Sequence, residues 1–449
     1  MIAGTSSTIG ESSKGHPTPS VSRMAAQRHL IGLVAKAAIG LAVLLAGFVK
    51  FEPAPYELYM AALIPIWALF GLRLAASITP LILLLVTFNI GGLLSMLVMD
   101  ELYDTPLYLA VSLFLAFSAI FYAAVIRQRP DVLRTIMIAW AAAGVVTSTL
   151  GIAGFFGVPG LDLFTRYGRA TGVFEDPNVF GPFLVPPSLY LLHRVVTGPA
   201  GAMMLRALPL LVIVLGIFFS FSRGAWGLLI VSVAIQLGLL LLHHRSGRFR
   251  IRILILALAG FALLGLSIVV ALQVPTVAEL FSTRAQLVQD YDGGRMGRFD
   301  RHIYGFKLAM ENPLGIGPLN FGRMLGEDTH NVWLKALMGY GWLGFASWFI
   351  MIVWSLVAGF RILFRQRAWQ PFLLVSWVGL LGHTLLGFII DTDHWRHFYL
   401  LLGMIWGCIA LESRVQGNTL DADGRRIGPA PPPAWTQFGT DTRPARRDA

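Results

Sequence analysis

The chain has 449 residues, of which 56% are hydrophobic and only 13% are charged, and its mean hydropathy is +0.68. An ordinary soluble domain has about 25% charged and about 45–50% apolar residues, so this composition excludes a soluble globular enzyme, a disordered regulator and a nucleic-acid-binding protein. The net charge of +11 is typical of a membrane protein that keeps Lys and Arg on its cytoplasmic side. Cys408 is the only cysteine, which excludes an intrachain disulfide and a cysteine-based metal site.

The two ends of the chain differ in composition from the rest. Residues 1–29 are rich in Ser, Thr and Gly and have no apolar core, so we expect a disordered cytoplasmic arm and not a signal peptide. Residues 413–449 contain a proline run at 431–433 and several arginines, and we expect a disordered cytoplasmic tail. Residues 30–412 are expected to form one transmembrane domain.

Twelve apolar runs occupy residues 30–412. A helix needs about 20 mostly apolar residues to cross a bilayer, and backbone groups cannot stay unpaired in lipid. The sequence therefore predicts an all-α fold, a polytopic membrane helical bundle of about twelve transmembrane helices. The runs cover residues 30–49, 58–72, 74–98, 107–126, 135–156, 180–195, 207–220, 224–242, 253–274, 338–360, 370–390 and 398–412.

Charges in the connecting loops predict the orientation. With a cytoplasmic N-terminus, the short outer loops hold few basic residues, namely Lys50, Arg166, Arg169, Arg223 and Arg396. The inner loops hold many more, including Arg73, Arg127, Arg129, Arg134, Arg194, Arg206, Arg248, Arg250, Arg252, Arg361, Arg365 and Arg367. By the positive-inside rule, this bias predicts an even number of spans with both termini in the cytoplasm.

One outer loop, residues 275–337, is much longer than the others. Phe299, Ile303, Phe306 and Met310 recur at helical spacing and form one apolar stripe. We expect the residues that follow, Asn312-Pro313, to end this helix, and Gly315, Gly317 and Gly322 to mark tight turns. The loop is therefore predicted to be helical, and its helix could rest on the membrane surface and still contribute to a site.

The outer rim carries the candidate functional residues, which are Arg169, Arg223, Arg298 and His330. Arginine is always charged, and its planar guanidinium matches phosphate oxygens, so three arginines and a histidine on one membrane face suit a diphosphate ligand. Binding of lipid headgroups is the alternative for any single arginine. Arg223 is harder to explain in that way, because the positive-inside rule disfavours arginine in a short outer turn.

The predicted spans contain few polar residues. No Asp or Glu falls well inside a span, which argues against a proton-coupled carrier. His383 is alone on an apolar run, and we expect it to be a packing histidine rather than a functional one. Asn331 is expected to cap the helix that follows it.

The motifs at the outer rim, taken in order, resemble the O-antigen ligase and O-antigen polymerase superfamily. They are Ser220-Phe221-Ser222-Arg223-Gly224, then Arg298, Asn312-Pro313-Leu314-Gly315-Ile316-Gly317, Asn320-Phe321, His330-Asn331 and Gly339-Tyr340-Gly341-Trp342-Leu343-Gly344. The stretch from Arg169 to Asn178 matches the upstream pattern of the same superfamily. His302 departs from it, because relatives often have tryptophan there, and it adds a second candidate histidine.

The resemblance implies an inverting, metal-independent glycosyltransferase of the inner membrane, whose site lies on the periplasmic face. The donor would be a glycan on undecaprenyl diphosphate, and the acceptor a sugar hydroxyl on lipid A-core or on another glycan. No cofactor and no nucleic acid is implied, and membrane lipids would surround the protein. The carboxylates of Asp391-Thr392-Asp393 form the nearest approach to a metal motif, but two carboxylates are too few for an oxygen-ligand site.

The expected roles follow from this chemistry. Arg223 and Arg298, with Arg169 as third choice, would stabilise the leaving diphosphate, and His330 would orient or deprotonate the acceptor hydroxyl. The sequence leaves ligase and polymerase open, and both serve lipopolysaccharide or exopolysaccharide biosynthesis. Outside this class, a twelve-span transporter or polysaccharide exporter is the alternative, although we find no half-to-half repeat of the kind that transporters show.

Overall fold

The computed structural model of the chain describes residues 19–244, 246–284 and 297–417, with the side chains of residues 26–244, 246–284, 297 and 300–417. This part of the chain is an all-α membrane bundle. The first ten helices are α1 Pro19–Leu45, α2 Pro55–Leu69, α3 Thr79–Met96, α4 Thr105–Gln128, α5 Val132–Phe155, α6 Pro177–Thr197, α7 Met203–Phe219, α8 Arg223–His243, α9 Gly247–Ala271 and α10 Pro275–Arg284. Six follow, α11 Arg298–Glu311, α12 Asn320–Leu325, α13 Val332–Gly339, α14 Gly341–Leu363, α15 Gln370–Leu386 and α16 Arg396–Gly417.

Extended structure is minor. Two antiparallel strands of two residues each, β1 Thr165–Arg166 and β2 Arg169–Ala170, form a hairpin between α5 and α6. Short 3₁₀ turns precede α3, β1 and α7.

Each of the twelve predicted apolar runs corresponds to a helix. Within the described residues, ten helices are long and apolar enough to cross a membrane. The other two, α2 with 15 residues and α15 with 17, span about 22 and 26 Å at 1.5 Å per residue, which is less than the roughly 30 Å of a hydrocarbon core. The predicted polytopic bundle is therefore confirmed as a fold class. Among the described residues, ten rather than about twelve helices have the length and composition of a membrane span.

The structure describes residues on both sides of the predicted domain boundaries at 29/30 and 412/413. Helix α1 begins at Pro19, so residues 19–29 are helical and continue directly into the first apolar run. Helix α16 likewise extends to Gly417, past the predicted start of the tail. The rest of both arms, residues 1–18 and 418–449, lies outside the described residues.

Glycines allow several helix pairs to pack closely. A methyl group on Gly91 of α3 would lie 2.7 Å from the backbone nitrogen of Gly344 in α14 and 2.7 Å from the carbonyl oxygen of Tyr340. On α16, a methyl group on Gly403 would lie 2.7 Å from the carbonyl oxygen of Ala119 in α4. Small residues serve this purpose in membranes, because helix association there depends on close van der Waals contact.

Helix α6 runs through the centre of the bundle although it contains three internal prolines. Proline has no N–H, so Pro187 leaves the carbonyl of Phe183 without its helical partner. The indole Nε1 of Trp140 in α5 donates a hydrogen bond to that carbonyl oxygen at 3.1 Å. A neighbouring helix therefore satisfies the group that proline frees, as the membrane interior requires.

The long loop is helical, as predicted, in the residues that the structure describes. Helix α11 ends at Glu311, immediately before Asn312-Pro313. Gly315 and Gly317 have positive φ values of 84° and 89°, which only glycine adopts at little cost. The prediction for Gly322 is wrong, because this residue lies inside α12.

The described part of the apolar stripe on α11 points away from the protein, since Ile303, Phe306 and Met310 are all exposed. This arrangement fits a helix whose apolar face contacts lipid. We call the end of the bundle that carries this loop, the β-hairpin and residues 220–222 and 388–395 the loop face.

The close approach of α3 and α14 predicts that G91A destabilises the protein. The added methyl group meets backbone atoms, which cannot move aside as a flexible side chain can, so we expect a loss of about 1–3 kcal/mol and a lower Tm in detergent. G260A in α9 is the matched control, because a methyl group there has no neighbour within 4 Å. Equal Tm values for the two variants would contradict the packing argument.

Candidate functional site

The β-hairpin brings Arg169 to the turn that precedes Arg223. Arg169 is buried, and its Nε donates to the carbonyl oxygen of Ser220 at 2.7 Å. Its Nη2 donates to Oδ1 of Asn178 at 2.9 Å. The guanidinium of Arg169 therefore ties the hairpin to the end of α7 and to the first turn of α6.

The turn at residues 220–222 places Arg223 at the first position of α8. Phe221 adopts a positive φ of 45°, a conformation that is uncommon for residues other than glycine. The hydroxyl of Ser222 accepts a hydrogen bond from the backbone N–H of Ala225 and caps the helix. Arg223 thus lies at a helix N-terminus on the loop face, where the N–H groups of the first turn and the helix dipole also favour an anion.

An apolar groove begins at Arg223 and runs between α8 and α15. Its cavity volume is about 170 Å³, and apart from Arg223 its walls are glycine and aliphatic side chains. They are Gly224, Gly227, Leu228 and Val231 of α8 with Gly382, Leu385, Leu386 and Ile389 of α15 and the residues just after it. Val231, Leu385 and Ile389 are exposed on the outside of the bundle, so the groove opens toward the surrounding membrane.

The end of α15 connects this groove to the segment that carries His330. A methyl group on Gly224 would lie 3.0 Å from Cδ1 of Leu386. The next residue, Gly387, accepts a hydrogen bond at 2.8 Å from the backbone N–H of Val332. Because Val332 is two residues from His330, the structure brings Arg169, Arg223 and His330 to one region of the loop face.

Arg298 is the first residue of α11, and its side chain lies outside the described part of the chain. The rest of α11 is attached to the segment before His330. The guanidinium of Arg301 pairs with the carboxylate of Glu327, and Nε2 of His302 lies 2.8 Å from the carbonyl oxygen of Thr329. His302 therefore connects α11 to this segment.

The backbone of His330 is held on both sides. It has a positive φ of 50°, which costs energy for a residue with a side chain and persists only where neighbours impose it. On one side is the contact of His302 with Thr329. On the other, Oδ1 of Asn331 accepts hydrogen bonds from the backbone N–H groups of Trp333 and Leu334 at 3.0 and 3.1 Å, so the predicted helix cap is confirmed.

The imidazole of His330 faces a carboxylate from the loop between α15 and α16. Its Nδ1 lies 3.6 Å from Oδ2 of Asp391, and the His330 side chain is 45% exposed. This distance exceeds that of a hydrogen bond but allows a strong charge interaction when the imidazole is protonated. The second oxygen of Asp391, Oδ1, is buried and accepts no hydrogen bond from the described residues.

A buried lysine lies behind this pair. The Nζ of Lys335, in α13, is 3.6 Å from Oδ2 of Asp328, 3.8 Å from Oδ2 of Asp391 and 3.6 Å from Oδ1 of Asp393. We call these four residues the Lys335 cluster. One ammonium faces three carboxylates, so the cluster is negatively charged overall when all four groups are ionised. Residues from two distant parts of the chain are thereby held together beside His330.

Burial and charge act in opposite directions on the pKa values in this cluster. Burial by itself would lower the pKa of Lys335, but Asp391, Asp393 and the other neighbouring groups raise it well above the ordinary lysine value. Burial would raise the pKa of Asp393, but Lys335 and His394 hold it well below its ordinary value. For Asp328, burial has the larger effect and its pKa is raised.

Asp393 has further partners that fix its orientation. Its Oδ2 accepts hydrogen bonds from the hydroxyl of Tyr108 at 2.6 Å and from the ring Nδ1 of His394 at 3.0 Å. The rings of Tyr108 and His394 stack with centroids 3.7 Å apart. Asp393 is therefore a structural anchor for the cluster, whereas Asp391 is the carboxylate that faces His330.

The two carboxylates of the Asp391-Thr392-Asp393 motif thus both face the ammonium of Lys335. Within residues 19–244, 246–284 and 297–417, no group of three or more His, Cys, Asp or Glu side chains is arranged to hold a metal ion. His383, in α15, is fully buried. Its Nδ1 lies 2.7 Å from the carbonyl oxygen of Gly379 in the preceding turn.

Sequence reasoning did not identify Lys335 or Asp328, and it treated Asp391 only as a possible metal ligand. The available signal was weak. Lys335 and His330 are five residues apart, and Asp328 precedes them in the same segment, a pattern that is common in solvated loops. The pattern forms a cluster only because Asp391 and Asp393, which are more than fifty residues further along the chain, lie close to Lys335.

Residues 208–349 match the family described as O-antigen ligase. The resemblance predicted from the motifs is thereby confirmed, and a function of the O-antigen ligase or polymerase type is supported in general terms. The matched segment contains Arg223, Arg298, His330 and Lys335, while Arg169 and Asp391 lie outside it. No curated protein matches the chain.

The pKa shift of Asp393 predicts a pH-dependent loss of stability in D393N. Since the carboxyl pKa is lower in the folded protein, ionised Asp393 stabilises the fold above its ordinary value of 3.8, and this contribution is lost as the pH falls through the folded value. Removal of one partner of a buried pair costs about 3–5 kcal/mol, so we expect D393N to have a lower Tm than the wild type at pH 7.

The Tm difference should shrink below about pH 4, close to the ordinary Asp value. D162N is the control, because Asp162 is exposed on the same face and the charge change is identical. A Tm difference that persists unchanged at low pH would argue against an ionised Asp393 in the folded protein.

Proposed function

We propose that the protein is an inverting, metal-independent glycosyltransferase that moves a glycan from undecaprenyl diphosphate to a sugar hydroxyl. The observation that carries this proposal is the placement of Arg169, Arg223 and His330 in one region of the loop face, where a groove that opens toward lipid begins at Arg223. A diphosphate needs the cationic end of this region, and a long isoprenoid chain needs the apolar groove. The family match supports the same type of reaction.

In the proposed reaction, the acceptor hydroxyl oxygen attacks the anomeric carbon of the donor glycan. The bond from that carbon to the diphosphate oxygen breaks on the opposite face, so the configuration is inverted. Both electrons of the broken bond remain on the diphosphate. Arg223 and Arg298, with support from Arg169, would stabilise this growing negative charge.

The hydroxyl proton passes to His330 in this scheme. A neutral imidazole accepts a proton readily near pH 7, and the imidazolium that forms would lie beside Asp391. The ammonium of Lys335, 3.8 Å from Oδ2 of Asp391, would hold this carboxylate in position, so that it stabilises the imidazolium of His330 after proton transfer. In this scheme the arginines put positive charge beside the leaving diphosphate, and Asp391 puts negative charge beside the base His330. Each charge favours one transfer, that of the bond electrons to the diphosphate or that of the hydroxyl proton to His330.

We infer that the site lies on the periplasmic face of the bacterial inner membrane, with both termini in the cytoplasm, because the loop charges favour this orientation.

The acceptor would be lipid A-core for a ligase or another glycan chain for a polymerase. A deletion strain tests this choice. Loss of long chains on lipid A-core with accumulation of lipid-linked polymer would indicate a ligase, single-repeat chains a polymerase, and unchanged glycans with altered uptake a transporter.

The proposed roles predict large losses of transfer activity in purified variants. We expect H330A, R223A and R298A each to reduce kcat by about 100-fold or more, a scale typical of a lost general base or of a lost donor to developing charge. R166A is the control, since Arg166 lies on the same face but pairs with Glu175 at 2.8 Å. Full activity in H330A would exclude its role as base, and full activity in R223A or R298A would exclude the diphosphate clamp.

The groove predicts a variant that distinguishes long donors from short ones. Gly227 lines the groove, and a methyl group there has no neighbour within 4 Å, so G227L should fold and should obstruct the groove. Displacement of two methylene groups at about 0.8 kcal/mol each would raise KM for the full-length polyprenyl donor about tenfold.

A donor with one or two isoprene units would not reach Gly227, so its KM should be unchanged. G238L is the matched control, because Gly238 is on the same helix and is equally open but does not line the groove. If G227L and G238L had the same KM for the full-length donor, the groove would not be the isoprenoid site.

A further inference from the structure

Four arginines lie at the end of the bundle opposite the loop face. Arg134 is in the first turn of α5, Arg194 in the last turn of α6, Arg206 in the first turn of α7 and Arg252 in the second turn of α9. Arg134, Arg194 and Arg206 all lie within electrostatic range of the ring hydroxyl of Tyr190. Arg206 is also within range of Arg252. We call these four residues the arginine cluster.

Backbone carbonyls at the end of α6 hold part of this cluster in place. The Nη1 of Arg206 donates to the carbonyl oxygen of Arg194 at 3.0 Å. The Nη2 of Arg252 donates to the carbonyl oxygens of Val195 and Gly198 at 3.0 and 2.5 Å. These contacts fix two guanidinium groups through neutral carbonyl oxygens, which do not neutralise their charges.

Among the described residues, no carboxylate forms an ion pair with any member of the arginine cluster. The described acidic residues at this end of the bundle are engaged elsewhere, since Asp131 pairs with Lys36 and Glu412 with Arg365 and Arg367. Four like charges repel one another, and anions relieve that repulsion. Guanidinium groups bind phosphate oxygens well, often through two hydrogen bonds at once.

Helix α9 provides an apolar surface beside the cluster. Ile253 is its only buried residue, and only 6% of its most apolar segment is buried within the protein. Large side chains such as Leu258, Phe261 and Leu266 are exposed along its length. Arg252 attaches one end of α9 to α6, so most of the remaining surface of this helix faces lipid.

We propose that the arginine cluster binds the headgroup of an anionic phospholipid whose acyl chains lie along α9. Arg252 of the cluster lies near the first residue of α9. The acyl chains of a lipid whose phosphate is bound there would therefore lie along the exposed side of this helix. The bound lipid stabilises the attachment of α9, which leads directly into α10 and the long loop. This site is separate from the proposed donor site, which lies at the opposite face, and does not depend on the proposed function.

Native mass spectrometry and thermal unfolding of the purified full-length protein test this proposal. We expect added phosphatidylglycerol to be retained and to raise Tm, and phosphatidylcholine with the same acyl chains to do neither. Basic residues near a membrane surface contribute about 1 kcal/mol each to anionic lipid binding. The R134Q/R194Q double variant should therefore bind phosphatidylglycerol about 25-fold more weakly.

These two arginines are chosen because their guanidinium groups make no hydrogen bonds to the residues that the structure describes, so the variant removes two charges without removing such a hydrogen bond. R73Q is the control, since Arg73 is exposed at the same end of the bundle, and it should bind lipid as the wild type does. Equal binding by R134Q/R194Q and R73Q, or an equal Tm rise with phosphatidylcholine, would overturn the proposal. If soluble glycerol phosphate raised Tm as much as the lipid, the ligand would be a free phosphate group, and the assignment to a lipid would be wrong.

Discussion

The need to pair every backbone polar group away from water constrains this structure more than any other factor. It makes the apolar runs helical and requires neighbours to satisfy groups that prolines free, as Trp140 does for α6. In the part of the chain that the structure describes, irregular backbone lies in the connections between helices. The candidate site is built from such irregular pieces, namely a two-stranded hairpin, the turn at residues 220–222 and the segment before α13.

The distribution of charge within the candidate site has a clear division. Guanidinium groups of Arg169 and Arg223 lie on the side formed by the hairpin and the start of α8, whereas the carboxylates of the Lys335 cluster lie on the side formed by α13 and the loop after α15. His330 is on the carboxylate side. Buried charges of this kind are stable only when paired, and Lys335 supplies the pairing. The separation of the two signs supports the proposed transfer of a proton in one direction and of a leaving group in the other.

Local features of the chain were largely predictable. Asn331 caps its helix, and Asn312-Pro313 ends α11 as the local chemistry of those residues requires. Gly322 was assigned to a turn incorrectly, because glycine permits a turn but does not demand one and can also sit within a short helix. Residues 19–29 are polar enough to suggest disorder, yet they extend α1, since a helix that crosses the membrane can continue into water without an abrupt end.

The sequence alone determined the class of fold, the positions of the spans and the set of polar residues that needs explanation. Hydropathy could not determine which helices touch, because an apolar side chain is equally well solvated by lipid and by another helix. Only the tertiary structure joined Arg169 to Ser220 across 51 residues and brought Asp391 to His330 and Lys335. Those contacts depend on close packing at positions such as Gly91 and Gly403, where the absence of a side chain matters, and such complementarity is a property of two surfaces rather than of either sequence segment.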